Sequence, residues 1–254
     1  MKNLVLFTLA ILLSTITFSQ SRKDTTEFNR TPIFNKVKKL KQHRISLNFG
    51  RSNPLGDFSE NDQYSDNSGY ADGSLSIGIS YQYRVHESFL VSLLYGSTAN
   101  KFKAQVVENQ LSSLEPRLRW RVEADPYSVR YFMVGAKGYI GDEVKGYINP
   151  MFGYGIMIAP QVNVVASDGT NSASQLLRES DPAGSTVLGV SFGIDFMLSE
   201  VISINIDGTY LTSEFDIEQV FDTFDLNGNV KRITRIYDQP YEVLNFSLGL
   251  GLHF

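Results

Sequence analysis

The sequence predicts an all-β protein, an eight-stranded antiparallel up-and-down transmembrane β-barrel. Three observations lead to this prediction. Apolar and polar residues alternate with a period of two in eight segments of the 254-residue chain. The polar positions of those segments carry mainly Gly, Ser, Asn and Asp. The connections between the segments are alternately short and long.

Each segment has the period of a strand that crosses a membrane, and most approach the required length of about 9–11 residues. In the second segment, Leu75, Ile77 and Ile79 share one parity, while Ser76 and Gly78 occupy the other. The eight segments are, in chain order, RISLNFG, SLSIGISYQY, SFLVSLLYG, YSVRYFMVGAKGYI, YINPMFGYGIMI, VLGVSFGIDFML, VISINIDGTY and LNFSLGLGLHF.

The fourth segment is apolar on both parities, so two registers remain open. If Phe132 and Val134 point outward, Lys137 lies inside the barrel. If Tyr131 and its alternate neighbours point outward, Arg130 lies inside. Because a lysine in the middle of a lipid-facing strand is energetically costly, we favour the register with Lys137 inside.

The connections distinguish the two ends of the predicted barrel. Three of them, RVHE, GDEVKG and SE, are short. The other four are long and polar, and they cover residues 51–73, 97–126, 160–185 and 212–240. We expect the short turns to be periplasmic and the long loops to be extracellular.

The polar face of the segments distinguishes a membrane barrel from a soluble sandwich. In a sandwich, this face would be solvated and would carry longer charged side chains. Small residues suit the crowded interior of an eight-stranded barrel. Charges placed there must be paired to offset their desolvation. We therefore expect a structural hydrogen-bonded network, with a narrow conduction path as the alternative, formed by Asn48, Lys137, Asp195, Asn205, Asp207 and Asn245.

The N-terminus has the layout of a secretory signal peptide. Lys2 precedes an apolar run from Leu4 to Ile16, and small or polar residues follow. The apolar run of about 13 residues is too short for a membrane-spanning helix. We predict a signal peptide at residues 1–19, a basic periplasmic arm at 20–43 and the barrel at 44–254. The chain has no cysteine, which excludes disulfides and thiolate metal sites.

Residues 44–254 resemble the small, eight-stranded outer membrane protein β-barrel domains of Gram-negative bacteria, and the style of the sequence, including Gln20, is similar to Bacteroidetes-type members. The resemblance implies export to the cell outer membrane, contact with lipopolysaccharide and no nucleic-acid partner. It also implies that the barrel assembly machinery reads the last strand. The residues that match this assembly signal are Tyr241, Phe246, Leu248, Leu250, Leu252 and Phe254.

The sequence predicts no catalytic site and no cofactor. Enzymes that resemble this architecture use a histidine at the outer end of the barrel. Here His43, His86 and His253 all fall at the predicted periplasmic end. We therefore expect a protein that is not an enzyme.

One stretch, DTFDLNGNV at residues 222–230, partly matches a calcium-binding loop. Asp225, Asn227 and Gly228 have suitable spacing, but Thr223 stands where an acid is needed and the closing glutamate is absent. A tight hairpin turn is the better interpretation, and we expect no metal.

The long loops hold the remaining candidates for recognition. Arg117, Arg119, Trp120 and Arg121 in the second long loop suit phosphate or sugar binding. Their alternation predicts that the flanking strands continue above the membrane as a ribbon. The alternative to a binding role is that these residues form only a solvated edge of that ribbon. In the fourth long loop, acids precede the turn and KRITR follows it, which predicts a charge-paired hairpin.

These observations favour a non-enzymatic outer-membrane barrel that acts through its extracellular loops, in surface interaction or envelope integrity. Two alternatives remain open, a small-solute channel or transporter and an accessory subunit of an export or assembly machine. The sequence does not indicate a specific ligand or partner.

Overall fold

The computed structural model describes residues 41–62, 68–140, 145–224 and 230–254. The predicted signal peptide and most of the predicted arm lie outside these ranges. The described strands are β1 (His43–Pro54), β2 (Ala71–Asp72), β3 (Ser74–His86), β4 (Phe89–Phe102), β5 (Arg119–Ala124), β6 (Tyr127–Ile140), β7 (Lys145–Ile158), β8 (Val162–Ser167), β9 (Ser172–Leu177), β10 (Ala183–Met197), β11 (Ile202–Phe224) and β12 (Val230–His253).

Eight of these strands form a closed antiparallel ring. They pair in the order β1–β3–β4–β6–β7–β10–β11–β12, and β12 pairs again with β1. Closure pairs the main chain of each strand on both sides, which removes the free edges that an open sheet would have. The eight-stranded up-and-down barrel predicted from the sequence is confirmed.

The ring has an apolar outer surface. On β12, Leu248 and Leu250 are 58% and 59% exposed, and on β7 Phe152 is 64% exposed. Because successive side chains of a strand point to opposite faces, the intervening residues point inward. On β6, Phe132 is exposed on the outer surface and Lys137 is buried in the interior. This is the register that was favoured from the sequence.

Along its axis, the interior changes from polar to apolar. We call the end that carries the β3–β4 and β10–β11 turns the short-turn end, and the opposite end the long-loop end. Polar side chains fill the interior near the short-turn end. Toward the long-loop end the interior holds a close-packed set of apolar and aromatic side chains that we call the apolar plug: Phe58, Tyr127, Val129, Tyr131, Met133, Met151, Met157, Val187, Leu211, Phe215, Ile217, Tyr241 and Val243.

The apolar plug was not expected from the sequence, which predicted a small or polar inner face. Phe58 reaches the plug from α1 (Gly56–Ser59), a short helix in the first long loop. Its ring contacts Tyr127 and Tyr241 edge to face, with centroids 5.1 and 5.2 Å apart. The first long loop therefore covers the barrel interior at the long-loop end.

Strands of the long loops extend the sheet of the barrel beyond the ring. Beyond the ring, β11 and β12 stay paired up to Phe224 and Val230. Strand β9 pairs with β11, β8 with β9, and β5 with β8. We call this five-stranded assembly, with β12 and β5 at its two edges, the loop sheet. The predicted hairpin formed by β11 and β12 is present.

The predicted ribbon in the second long loop is wrong. Strand β5 pairs with β8 rather than with an extension of β4 or β6. A helix, α2 (Ala104–Leu114), separates β4 from β5 and packs against β5. Among the described helices, none has the length and apolar character needed to cross a membrane.

Candidate functional site

The first candidate site is the polar network near the short-turn end, and Asp195 lies at its centre. Asp195 Oδ2 accepts hydrogen bonds from Arg44 Nη1 at 2.7 Å and from Lys137 Nζ at 3.0 Å. The hydroxyl of Tyr139 also donates to Asp195 Oδ2. Lys137 Nζ in addition lies 3.4 Å from the centroid of the Tyr147 ring. Two cations and one carboxylate are therefore held together in the interior of the barrel.

The network continues through the amide of Asn205. Arg44 Nη2 donates to Asn205 Oδ1 at 3.0 Å, and Asn205 Nδ2 donates to Asn48 Oδ1 at 3.1 Å and to Asp207 Oδ2 at 2.7 Å. Ser247 donates to Asp207 Oδ1 at 2.9 Å. Two carboxylates and two cations thus balance in the interior, as desolvation requires.

The structure brings five of the six predicted network residues into one hydrogen-bonded group. The exception is Asn245, whose Oδ1 is buried and has no hydrogen-bond partner within the described ranges. Arg44 and Tyr139 belong to the network and were not predicted. The sequence contained enough information to place Arg44 inside the barrel. Ile45 and Leu47 point outward, so the residue before Ile45 points inward.

A cavity of about 60 Å³ lies between the polar network and the apolar plug. Lys137, Asn205 and Asp207 line its short-turn side, and Tyr131 and Met151 line its long-loop side. A single buried water needs at least roughly 10–15 Å³ of such volume, so the cavity has room for a few waters. Asn245 is among the residues that line this cavity.

All three histidines lie at the short-turn end. His43 Nδ1 is 2.8 Å from the hydroxyl of Tyr81, and His253 Nε2 is 2.8 Å from Ser203 Oγ. Within the described ranges, no cluster of His, Asp or Glu has an arrangement that could hold a metal ion. Asp225, Asn227 and Gly228 of the partial calcium-loop match lie outside the described residues.

The second candidate site is the outer surface of β12. Five of the six residues that match the predicted assembly signal lie on one outward-facing stripe, with exposures from 51% to 59%: Phe246, Leu248, Leu250, Leu252 and Phe254. Phe254 stacks on His43 with ring centroids 5.5 Å apart.

Tyr241 corrects the sixth assignment. It is fully buried in the apolar plug, and its hydroxyl is 3.1 Å from Thr98 Oγ1. Tyr241 has odd numbering on a strand whose outward residues are even, so it does not lie on the outward stripe.

The third candidate site is the loop sheet. Arg117 precedes β5, and Arg119 and Arg121 project from one face of β5, where all three are exposed. Arg121 pairs with Glu123 at 2.5 Å. Trp120 projects from the other face and donates to Glu115 O at 3.4 Å. The structure therefore groups the arginines and separates Trp120 from them.

A cluster of charged residues connects the part of the β11–β12 hairpin beyond the ring to the end of β9. Asp222 accepts hydrogen bonds from Arg232 Nε at 2.7 Å and from Arg178 Nε at 2.7 Å. The two guanidinium groups cover the carboxylate almost completely. The hydrogen bonds from Arg232, followed by those from Arg178, hold the pKa of Asp222 below its ordinary value.

Two outward arginines that the sequence analysis did not select mark the border between the barrel and the loop sheet. Arg51 lies two residues beyond Phe49 on β1, and Arg130 lies two residues before Phe132 on β6. Both are exposed on the same surface as the apolar residues beside them. Their alternation with outward apolar residues was the available signal.

A closed antiparallel ring with an apolar exterior and a filled interior defines an integral membrane β-barrel. Soluble proteins rarely expose such a continuous apolar surface. In hydrocarbon, closure is what satisfies every main-chain amide of a spanning sheet. The family model of the outer membrane protein beta-barrel domain matches residues 10–254. The chain belongs to this family and is an outer-membrane β-barrel protein of the Gram-negative type.

Several solved outer-membrane proteins are similar to this chain. Neisserial surface protein A is 12% identical, with 84% of this chain and 97% of that chain covered and a TM-score of 0.46. Ail, the attachment invasion locus protein of Yersinia pestis, is 16% identical, with 85% and 99% covered and a TM-score of 0.42. The outer membrane protease OmpT of Escherichia coli is 8% identical, with 86% and 98% covered and a TM-score of 0.36. A search of curated proteins finds no match.

Proposed function

We propose that this protein is a non-enzymatic outer-membrane barrel that acts through its long loops, which face the outside of the cell. The observation that carries the proposal is the loop sheet. Strands β11 and β12 stay paired without a break from Ile202 and Leu252 in the ring to Phe224 and Val230 in the loop sheet, so the loop sheet is a hydrogen-bonded continuation of the barrel. A hydrogen-bonded sheet raised above a membrane is suited to binding other molecules at the cell surface.

The filled interior argues against a channel. An eight-stranded barrel has room for little more than its own side chains. Here the Arg44–Asp195–Lys137 cluster blocks the barrel interior near the short-turn end, and the apolar plug blocks it near the long-loop end. A solute would have to displace both the buried charges and the close-packed apolar residues.

Lipid phosphates of the outer leaflet are the partners we propose for Arg51 and Arg130. Both residues are exposed on the outer surface, next to the outward Phe49 and Phe132. Arginine binds phosphate through paired, charge-assisted hydrogen bonds. Arg117 and Arg119 are higher on the loop sheet, and we propose that they bind phosphate or sugar groups of lipopolysaccharide farther from the bilayer.

We further propose that the barrel assembly machinery reads the outward stripe of β12, from Phe246 to Phe254. The Bacteroidetes-type assignment rests on the style of the sequence and on Gln20, and it is likewise a proposal. Residues 1–19 are proposed to be removed on export, which leaves the basic segment 20–43 in the periplasm.

Planar-bilayer conductance tests the proposed function against the channel alternative. The purified protein should give no more conductance than protein-free bilayers, and Asp195→Asn should behave in the same way because the apolar plug remains. Reproducible unitary conductance from the unaltered protein would contradict the proposal and favour a channel. A matched measurement of lipopolysaccharide binding should show weaker binding by the Arg51→Gln, Arg130→Gln double variant than by Arg84→Gln, which alters an arginine at the short-turn end.

A further inference from the structure

One edge of the loop sheet is open. Pairing between β1 and β12 stops at Pro54 and Val243, and the last bond across this seam runs from Leu55 N–H to Glu242 O at 2.8 Å. Beyond that point, the described residues of β12 pair only with β11. The residues from 230 to 236 are all exposed. We call the stretch from 230 to 238 the open edge.

The hydrogen-bond pattern shows which main-chain groups face outward from the open edge. The carbonyl of Glu242 points toward β1, and the N–H of His253 points toward the β11 side, where it meets Val201 O at 2.7 Å. Main-chain groups of a strand alternate in direction, and the register of β12 on β11 is unbroken. The residues whose N–H and C=O groups face the open edge are therefore Val230, Arg232, Thr234, Ile236 and Asp238.

Pro240 agrees with this assignment. It has even numbering, so its nitrogen faces the β1 side, and proline has no N–H to leave unpaired. Proline within a sheet is confined to such edge-facing positions. It lies between the end of the barrel seam and the start of the open edge.

The opposite edge of the loop sheet is protected. Helix α2 packs along β5, and Glu108 Oε2 accepts a hydrogen bond from the outward N–H of Val122 at 3.2 Å. No described element does this for the open edge. An exposed strand edge is a template for pairing with another chain.

The charge on the open edge selects the kind of chain that it can pair with. Lys231 and Arg235 share one face, four residues apart, and neither has a carboxylate partner among the described residues. The Arg235 guanidinium lies 5.3 Å from the centroid of the Phe221 ring. Arg232, on the other face, is already bound to Asp222. Within the described part of the chain, two cations without a carboxylate partner thus flank main-chain groups that pair with no strand.

We propose that the open edge binds an extended acidic segment of a partner protein, which adds to the loop sheet as a further β-strand. Main-chain hydrogen bonds give such an addition its affinity, and side chains give it specificity. Carboxylates four residues apart on the partner would meet Lys231 and Arg235. A second copy of this chain fits less well, because its own open edge offers the cations Lys231, Arg232 and Arg235 and a single carboxylate, Asp238. The inference rests on the proposed function, since the edge must face the medium outside the cell.

The test uses the full-length protein in neutral detergent and a fluorescent nine-residue peptide of alternating Thr and Val with two glutamates four residues apart. Fluorescence anisotropy should show saturable binding, while a peptide with lysines in place of the glutamates should not bind. Thr234→Pro removes one outward N–H and no bond to β11, so it should weaken binding by roughly tenfold. Thr234→Ala keeps that N–H and should bind as the unaltered protein does.

A charge-reversed variant, Lys231→Glu with Arg235→Glu, leaves the main chain unchanged and keeps the test valid even if the proline variant misfolds. This variant should no longer bind the peptide with glutamates and should bind the peptide with lysines. Equal binding of both peptides, equal binding by the proline and alanine variants, or a cross-linked dimer in place of peptide binding would overturn the inference. A conducting pore would refute the proposed function, whereas these outcomes would leave the conductance result unaffected.

Discussion

Arg44 on β1 donates to Asp195 on β10 across the inside of the barrel, with 2.7 Å between Nη1 and Oδ2. These two strands are not neighbours in the ring. Lys137 of β6 reaches the same oxygen at 3.0 Å. One carboxylate therefore ties together three strands that the main-chain ladder does not join directly.

Replacing this carboxylate should destabilise the barrel. Asp195→Asn keeps the shape of the side chain but leaves Arg44 and Lys137 buried without a counter-charge, which costs about 3–5 kcal/mol. Urea unfolding in liposomes measures the loss of unfolding free energy. Asp181→Asn, at an exposed position before β10, is the matched control and should stay within about 0.5 kcal/mol of the unaltered protein. Equal stability of the two variants would contradict a stabilising role for the network.

Two glycines of neighbouring ring strands should differ sharply in their tolerance of alanine. A Cβ at Gly153 would overlap the carbonyl oxygen of Phe132 and lie 2.7 Å from Met133 Cα, whereas a Cβ at Gly138 meets nothing within 4 Å. Gly153→Ala should cost about 2 kcal/mol or more, because the obstructing atoms are main chain. Gly138→Ala should be neutral or stabilising by up to about 1 kcal/mol. The temperature at which the compact gel band disappears compares them, and equal temperatures would contradict the interior packing described here.

The upper hairpin should loosen in acid. Because Arg232 and Arg178 lower the pKa of Asp222, the folded hairpin binds a proton more weakly than the unfolded chain does. The stabilisation is therefore complete above about pH 4, the ordinary pKa of aspartate, and is lost as the pH falls through the lower folded value.

Amide hydrogen exchange across β11 and β12, corrected for the intrinsic rate at each pH, measures this loosening. Protection near Asp222 should be lower at pH 2 than at pH 6. In Asp222→Asn, protection should be low at both values. An unaltered protein whose protection does not change, or a variant that retains the change, would show that another group is responsible.

The outward stripe of β12 should matter for assembly in a way that other lipid-facing residues do not. Phe254→Ser should lower the amount of folded barrel in the outer membrane severalfold, while Phe196→Ser, which alters an outward aromatic near the same end of β10, should lower it less. Tyr241→Phe should leave assembly unchanged, because Tyr241 faces the interior and loses only its contact with Thr98. Unboiled gels of membrane fractions measure folded barrel, and equal losses in the two serine variants would contradict a signal on β12.

The ring strands were predictable because lipid and barrel interior impose opposite demands on alternate residues. In β12, from Leu244 to Phe254, this alternation is complete. The apolar plug was not predictable, because Tyr131 and Met133 face inward beside outward Phe132, and the strand is then apolar on both faces. Tyr241 was misplaced for a related reason, since tyrosine suits both a lipid interface and a buried position with a hydroxyl partner.

The loop sheet was only partly predictable because its order arises from distant pairings. The β11–β12 hairpin is local, and its charges indicated it. Strand β9 meets β11 through Leu177 and Phe221, which are far apart in sequence, and β5 meets β8 in the same way. Helix α2 left a local signal in the spacing of Val107, Leu111 and Leu114 that period-two analysis does not detect.

The central claim is that the loop sheet faces the outside of the cell, and single-cysteine labelling tests it most directly. The chain has no cysteine, so Thr234→Cys on the open edge and Glu87→Cys in the β3–β4 turn each give one reactive site. A membrane-impermeant maleimide applied to intact cells should label Thr234→Cys, and it should label Glu87→Cys only after the outer membrane is permeabilised. Labelling of Glu87→Cys but not of Thr234→Cys in intact cells would show that the barrel has the opposite orientation in the membrane, with the loop sheet in the periplasm, and would contradict the central claim.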